Sequence, residues 1–230
     1  MQKYGDNKNR HMKAVAEVMY ENAGALGINP EEAYVVGLLH DVGYIAVERD
    51  SKESHGQKGA EILERMGLKG DALDAVRYHG TNCYQLIENG GLKNVSPMLV
   101  LTQYADMSVN HKGEKVGFEG RLKDIGKRYG RDSVAYVNAK STVNFLNEML
   151  IFTYDENEKP FIKPMTGEQF IDKVCEIRDN IELEEKAEEE EHKGEVNHDF
   201  DDEYHVSDYY DATDDKFLSE DTYDDFGMEY

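Results

Sequence analysis

The sequence predicts an all-α helical bundle, with a small β-hairpin and one more helix at its C-terminal side. Three observations carry that prediction. Apolar residues recur at three- and four-residue steps through most of the first 150 positions. Capping residues, Pro and Gly punctuate those runs at helix-length intervals. No convincing strand pattern occurs before "IFTYDENEKPFIKP" at 151–164.

The elements follow in order. Met12, Val15, Val18, Met19 and Ala23 mark a helix over 9–26. "INPEEAYVVGLLHDVG" (28–43) offers Asn29 as cap, Pro30 in the first turn, and Glu31 and Glu32 at the positive helix end; this helix is expected to end near Gly43. "SHGQKGAEILERMG" (54–67) pairs Ser54 with Gln57 in a capping-box pattern and closes at Gly67. "GDALDAVRYHG" ends at Gly80, and Ser96-Pro97 opens "PMLVLTQYADMSV". "FEGRLKDIGKRYG" and "DSVAYVNAKSTVNFLNEML" read as two further helices.

Two apolar-aromatic pieces flanking "DENEK" then predict the hairpin. A last helix starts at Thr166, with Gln169 completing a second capping box, and carries Phe170, Ile171, Val174 and Ile177. From about residue 185 the periodicity is gone. Acidic clusters alternate with Tyr204, Tyr209, Tyr210, Phe217, Tyr223, Phe226 and Tyr230, a composition that buries too little apolar surface to offset its ordering entropy. The expected organisation is a metal-binding helical domain over 1–150, a hairpin-and-helix appendage over 151–184, and a disordered acidic tail over 185–230.

The formal charge of -22 is concentrated in that tail. Residues 182–230 hold 21 acidic residues against 3 Lys, while residues 1–181 hold 27 against 23 basic residues. The tail reads as a solubilising segment or as a recruitment segment for a protein partner. The overall acidity argues against non-specific nucleic-acid binding. Cys83 and Cys175 form no CxxC pattern, so no disulfide framework or thiolate zinc site is expected. No apolar run reaches membrane-span length, and the polar "MQKYGDNKNRHMK" is unlike a signal peptide. The expectation is a cytoplasmic protein with no membrane partner.

The chemistry-bearing residues sit at expected helix ends. His11 opens the first helix, and His40 and Asp41 end the second. His55 opens the third and His79 ends the fourth. Asp106 stands within the apolar "LTQYADMSV". Burying a carboxylate is costly unless it is paired or binds a cation. Successive antiparallel helices can bring such ends to one point, and four His with two Asp make a plausible cage for one or two divalent ions. The single-residue alternatives are a surface His at a helix terminus and a capped or Arg-paired Asp. His111, His192, His198 and His205 are assigned to that class.

With these residues in place, the chain resembles the HD-domain metal-dependent phosphohydrolase superfamily, whose pattern is H…HD…H…H…D on a helical bundle. The best local matches are "RHMKAVAE", "GLLHDVGY", "SHGQKGAEIL", "AVRYHG" and "LVLTQYAD". His55 and His79 resemble the two-metal branch, and "HGQKGAEIL" and "AVRYH" are most similar to its bacterial diadenosine tetraphosphate hydrolases. Two departures stand out. Tyr44 occupies the position three past Asp41 where many HD hydrolases carry Lys, and the segment between the doublet and His55 is short.

The resemblance implies a phosphohydrolase in which Asp41 and His40 are catalytic. His11, His40, Asp41 and Asp106 would hold one metal; His55 and His79 would hold a second, with Asp41 bridging. Iron or manganese is implied, and a shared water would become the nucleophile. The substrate would be a phosphorylated small molecule, a nucleotide first, with Lys58 and Arg121 as its cationic contacts. Arg121 belongs to a basic run, 111–131, beside the Asp106 helix. Two other readings share these ligands: a mixed-valence di-iron oxygenase, and a nucleotide-sensing adaptor that recruits a partner through its tail.

Overall fold

The computed structural model describes residues 5–47, 54–89, 95–156 and 159–195. The helices are α1 (Asp6–Asn22), α2 (Pro30–Leu39), α3 (His55–Arg65), α4 (Gly70–Tyr78), α5 (Cys83–Glu88), α6 (Pro97–Asp106), α7 (Gly117–Tyr129), α8 (Val134–Met149) and α9 (Gly167–Glu195). Short 3-10 turns follow α1 at Ala23–Leu26 and α2 at Val42–Ile45. β1 (Phe152–Tyr154) and β2 (Pro160–Ile162) form an antiparallel hairpin, with Phe152 opposite Ile162 and Tyr154 opposite Pro160. The all-α class and the hairpin are as the sequence predicts.

Helix α6 is the axis of the bundle. Every residue from Met98 to Ala105 is buried, as expected of a helix that is apolar all round. It packs against α1, α2, α4 and α8, while α1 lies along α2 and α3 along α4. Leu99, Leu101, Phe145, Leu146, Met19 and Val76 are fully buried at its centre. Asp106 therefore stands at the last residue of the central helix rather than inside it.

Helix ends follow local chemistry. Asn29 accepts from the Glu31 and Glu32 amides, and Ser96 accepts from the Leu99 amide. Thr166 and Gln169 exchange the reciprocal bonds of a capping box. Ser54, by contrast, makes no side-chain cap bond, so the box expected with Gln57 does not form. The short helix α5 was not expected; Asn82 starts it by accepting from the Tyr84 amide.

Helix α2 stops at Leu39, short of the expected Gly43. Asp41 leaves helical geometry at φ -100 and ψ 11 and leads into the 3-10 turn. The hairpin is tied to the end of α1, where the Asn22 carboxamide accepts from the Ile162 amide at 3.1 Å. Helix α9 continues to Glu195, past the expected tail boundary at 185. Its Glu- and Lys-rich sequence favours helix, and Glu182 pairs with Arg178 and Lys186 one turn to either side. The rest of the expected tail, 196–230, lies outside the described residues. Among the described residues no helix is long and apolar enough to cross a membrane.

Candidate metal centre

Two close backbone approaches bring the helix ends together. A Cβ on Gly37 would lie 2.5 Å from the Ala16 Cα, so α2 meets α1 only because residue 37 has no side chain. A Cβ on Gly43 would lie 1.8 Å from the His55 carbonyl oxygen and 2.5 Å from the Gly59 nitrogen. The turn after Asp41 is thus pressed against the first turn of α3. His11, His40, His55 and His79 converge as a result. The His11 and His40 ring centroids are 5.5 Å apart, His40 and His79 5.2 Å, and His55 and His79 4.9 Å.

Backbone carbonyls set the imidazole tautomers. His11 Nδ1–H donates to the Asn110 carbonyl at 3.0 Å, His40 to Gly37 at 2.7 Å, and His79 to Val76 at 2.8 Å. A carbonyl only accepts, so each Nδ1 carries a proton and each ring turns its Nε2 inward, where the neutral form offers a lone pair. There the lone pairs meet carboxylates. His11 Nε2 is 3.0 Å from Asp106 Oδ1. His40 Nε2 is 3.4 Å from Asp41 Oδ2 and is a buried nitrogen with no hydrogen-bond partner. His55 and His79 Nε2 are each 3.4 Å from Asp41 Oδ1.

A neutral imidazole nitrogen facing a carboxylate oxygen in a buried site needs a proton or a metal ion between them. His11, His40 and Asp106 form one group able to hold an ion, and His40, Asp41 and His79 form another. A donor set of imidazoles and carboxylates without thiolates suits divalent iron, manganese or zinc. Imidazoles fixed by second hydrogen bonds to backbone carbonyls have the outer-shell arrangement typical of metal ligands.

Electrostatics around the carboxylates is lopsided. Burial opposes charge on Asp41, but His40 and the Lys8 ammonium outweigh it and hold its carboxyl well below the usual range. Asp106 is held far below that range too, because Arg121 and His11 outweigh its burial. Burial also opposes charge on His40, yet the neighbouring Asp41 carboxylate raises its pKa. Burial and the nearby His79 push His55 down to about 4.

The structure places the two sequence-suggested substrate cations differently. Arg121 Nη2 is 3.1 Å from Asp106, and Nη1 is 3.3 Å from Asp124, which also binds His111 at 2.7 Å. Its charge is committed to carboxylates around a candidate ligand. Lys58 is half-buried on α3 and lies 3.5 Å from Glu61. The sequence reading passed over Lys8, whose ammonium sits 2.6 Å from Asp41 Oδ2. Its spacing, one helical turn before His11, was the available signal. Asn110 and Asp124 had no such signal, because they meet the site only through tertiary packing.

Comparison with known proteins agrees with this geometry. Residues 10–106 match the family model described as "HD: HD domain". Ribonuclease Y of Thermotoga petrophila is 34% identical over 103 residues, covering 45% of this chain and 18% of that protein. Ribonuclease Y of Fervidobacterium nodosum and of Fusobacterium nucleatum are each 37% identical over 76 residues, covering 33% of this chain and 14% and 15% of theirs. The chain thus spans less than a fifth of the length of these relatives. No solved structure matches it. HD domains bind divalent metal ions, and their family includes metal-dependent phosphohydrolases. The matched stretch runs from the second turn of α1 to Asp106 and contains His11, His40, Asp41, His55, His79 and Asp106, so residues 10–106 match the HD domain with all six candidate ligands inside the match.

Proposed function

We propose that the chain is a metal-dependent phosphohydrolase acting on a nucleotide or another phosphate ester or anhydride. One observation carries this reading. The two oxygens of Asp41 face different imidazoles, with Oδ1 toward His55 and His79 and Oδ2 toward His40 at 3.4 Å and His11 at 4.0 Å. A carboxylate divided in this way is arranged to bridge two ions. Two bound divalent ions would supply an activated water nucleophile and draw off the negative charge that builds on a phosphoryl group.

The chain's own residues do the rest. His11, His40, Asp41 and Asp106 would hold one ion, and His55, His79 and Asp41 the other. The carbonyls of Asn110, Gly37 and Val76 keep the lone pairs of His11, His40 and His79 aimed inward. Arg121 keeps Asp106 ionised. The ribonuclease Y relatives support a phosphate-bond substrate and extend the panel worth testing to short RNA.

The test is phosphate or nucleotide release from a panel containing diadenosine tetraphosphate, nucleoside mono-, di- and triphosphates and a short RNA. It is run with Mn(II) or anaerobic Fe(II), for the intact chain and for Asp41→Ala. Release that depends on metal and disappears in the variant supports the reading and names the substrate class. A metal-loaded protein that turns over no member of the panel overturns it.

A further inference from the structure

Among the described residues two cations, Arg121 and Lys8, touch the candidate ligands, and they differ. Arg121 is 12% exposed and divided between Asp106 and Asp124, so it is locked in place. Lys8 is 24% exposed and meets one carboxylate oxygen, Asp41 Oδ2, at 2.6 Å. Its ammonium also lies 3.6 Å over the centre of the Tyr44 ring. That ring stacks on the His55 imidazole, with centroids 4.2 Å apart and planes 14° from parallel, while remaining 44% exposed. Lys8, Tyr44 and His55 therefore form one pile that reaches from the ligands to the solvent side of the centre.

We infer that Lys8 binds a phosphoryl oxygen of the substrate, with Tyr44 as the platform on which its ammonium rests. The inference builds on the proposed two-metal phosphohydrolase reading. A dication held by Asp41 would repel an ammonium 2.6 Å from Oδ2, so metal binding would weaken the Lys8–Asp41 pair. The Tyr44 face, already 3.6 Å from the ammonium, keeps hold of it through the cation–π contact when Asp41 is released. From there the charge faces the open side, where an anionic group would arrive. A compact, mobile ammonium suits a phosphate oxygen as a point charge. Lys8 thus has two partners in succession: Asp41 when the protein is metal-free, and the substrate when metal is bound.

This makes two opposed predictions for one residue. Calorimetric titration is done with Mn(II) on the apo-protein, then with inorganic phosphate on the Mn(II)-loaded protein, for the intact chain, Lys8→Met and Lys8→Arg. Lys8→Met is expected to bind Mn(II) at least as tightly as the intact chain, since a competitor for Asp41 is gone. It is expected to bind phosphate about 10- to 100-fold more weakly, the value of one charge-assisted hydrogen bond. Lys8→Arg, which keeps the charge, is expected to stay within a few-fold of the intact chain for phosphate.

Equal phosphate affinity in Lys8→Met and the intact chain overturns the inference, as does a loss of Mn(II) affinity in Lys8→Met, which would make Lys8 a support for Asp41. Should Lys8→Met fail to fold, Lys8→Gln provides the same comparison with a polar side chain. A loaded intact chain that binds phosphate through Lys8 but hydrolyses nothing sinks the phosphohydrolase reading and leaves the Lys8 assignment standing.

Discussion

His55 and His79, 24 residues apart in the chain, point their Nε2 atoms at each other across 3.0 Å. His79 donates its Nδ1–H to the Val76 carbonyl, so in the neutral ring its Nε2 has only a lone pair to offer. The pair is held by the close seating of α3 on the turn after Asp41 and on α4.

Replacing His79 with Ala is expected to reduce the metal content of the purified protein toward one ion per chain, with His11, His40 and Asp106 retaining the other. Elemental analysis after loading with Mn(II) measures this directly. Unchanged stoichiometry would remove His79 from the ligand set.

Arg121→Met would leave the Asp106 carboxylate without its principal counter-charge. The expected stability loss is about 2–3 kcal/mol, below the range for a fully buried pair because Asp106 stays partly exposed. Mn(II) affinity is expected to fall about 10- to 100-fold, as for other residues that orient a metal ligand. Chemical denaturation and calorimetry read the two effects separately. A variant with full metal affinity would return Arg121 to the role of a substrate contact suggested by the sequence.

The metal-free protein is expected to be most stable near pH 6.5. His55 has its pKa pushed down to about 4, so between 4 and 6.5 the unfolded chain binds a proton that the folded chain refuses, and stability falls as pH falls through that window. His40 has its pKa raised, so its contribution is full below 6.5 and is lost as pH rises through its folded value. Asp41 and Asp106, both lowered, add a further loss below about 3.8 as pH approaches their folded values. Melting temperature against pH tests the profile. Metal binding needs His40 neutral, so Mn(II) affinity should rise through neutral pH with proton release, measurable by titration in buffers of different ionisation enthalpy.

Gly43→Ala is expected to destabilise the fold by about 1–3 kcal/mol, the cost of overpacking. The new methyl would meet the backbone of His55 and Gly59, not a flexible side chain. Since α3 must move away to admit it, metal affinity should fall together with melting temperature. A melt and a Mn(II) titration on the same preparation check the coupling.

The helices, most of their caps and the hairpin were legible in the sequence because they are local. The period of apolar residues, Asn29, Ser96, the Thr166–Gln169 box and the strand pieces around "DENEK" each act over a few residues. So was the ordered series of His and Asp, although Asp106 reads as lying within its helix and in fact ends it. Ser54 was misread as a capping-box residue because a cap pattern does not show which bonds the packed chain finally makes.

Only the tertiary structure decided how that series is wired. The imidazole tautomers depend on carbonyls brought in from elsewhere, as with Asn110, 99 residues from His11. The commitment of Arg121 to Asp106 and Asp124, and the placing of Lys8 between Asp41 and Tyr44, depend on which helix faces meet. Helix formation obeys short-range rules that a linear string displays. Coulomb interactions and side-chain hydrogen bonds in a buried site act between residues that are neighbours only after the bundle has closed.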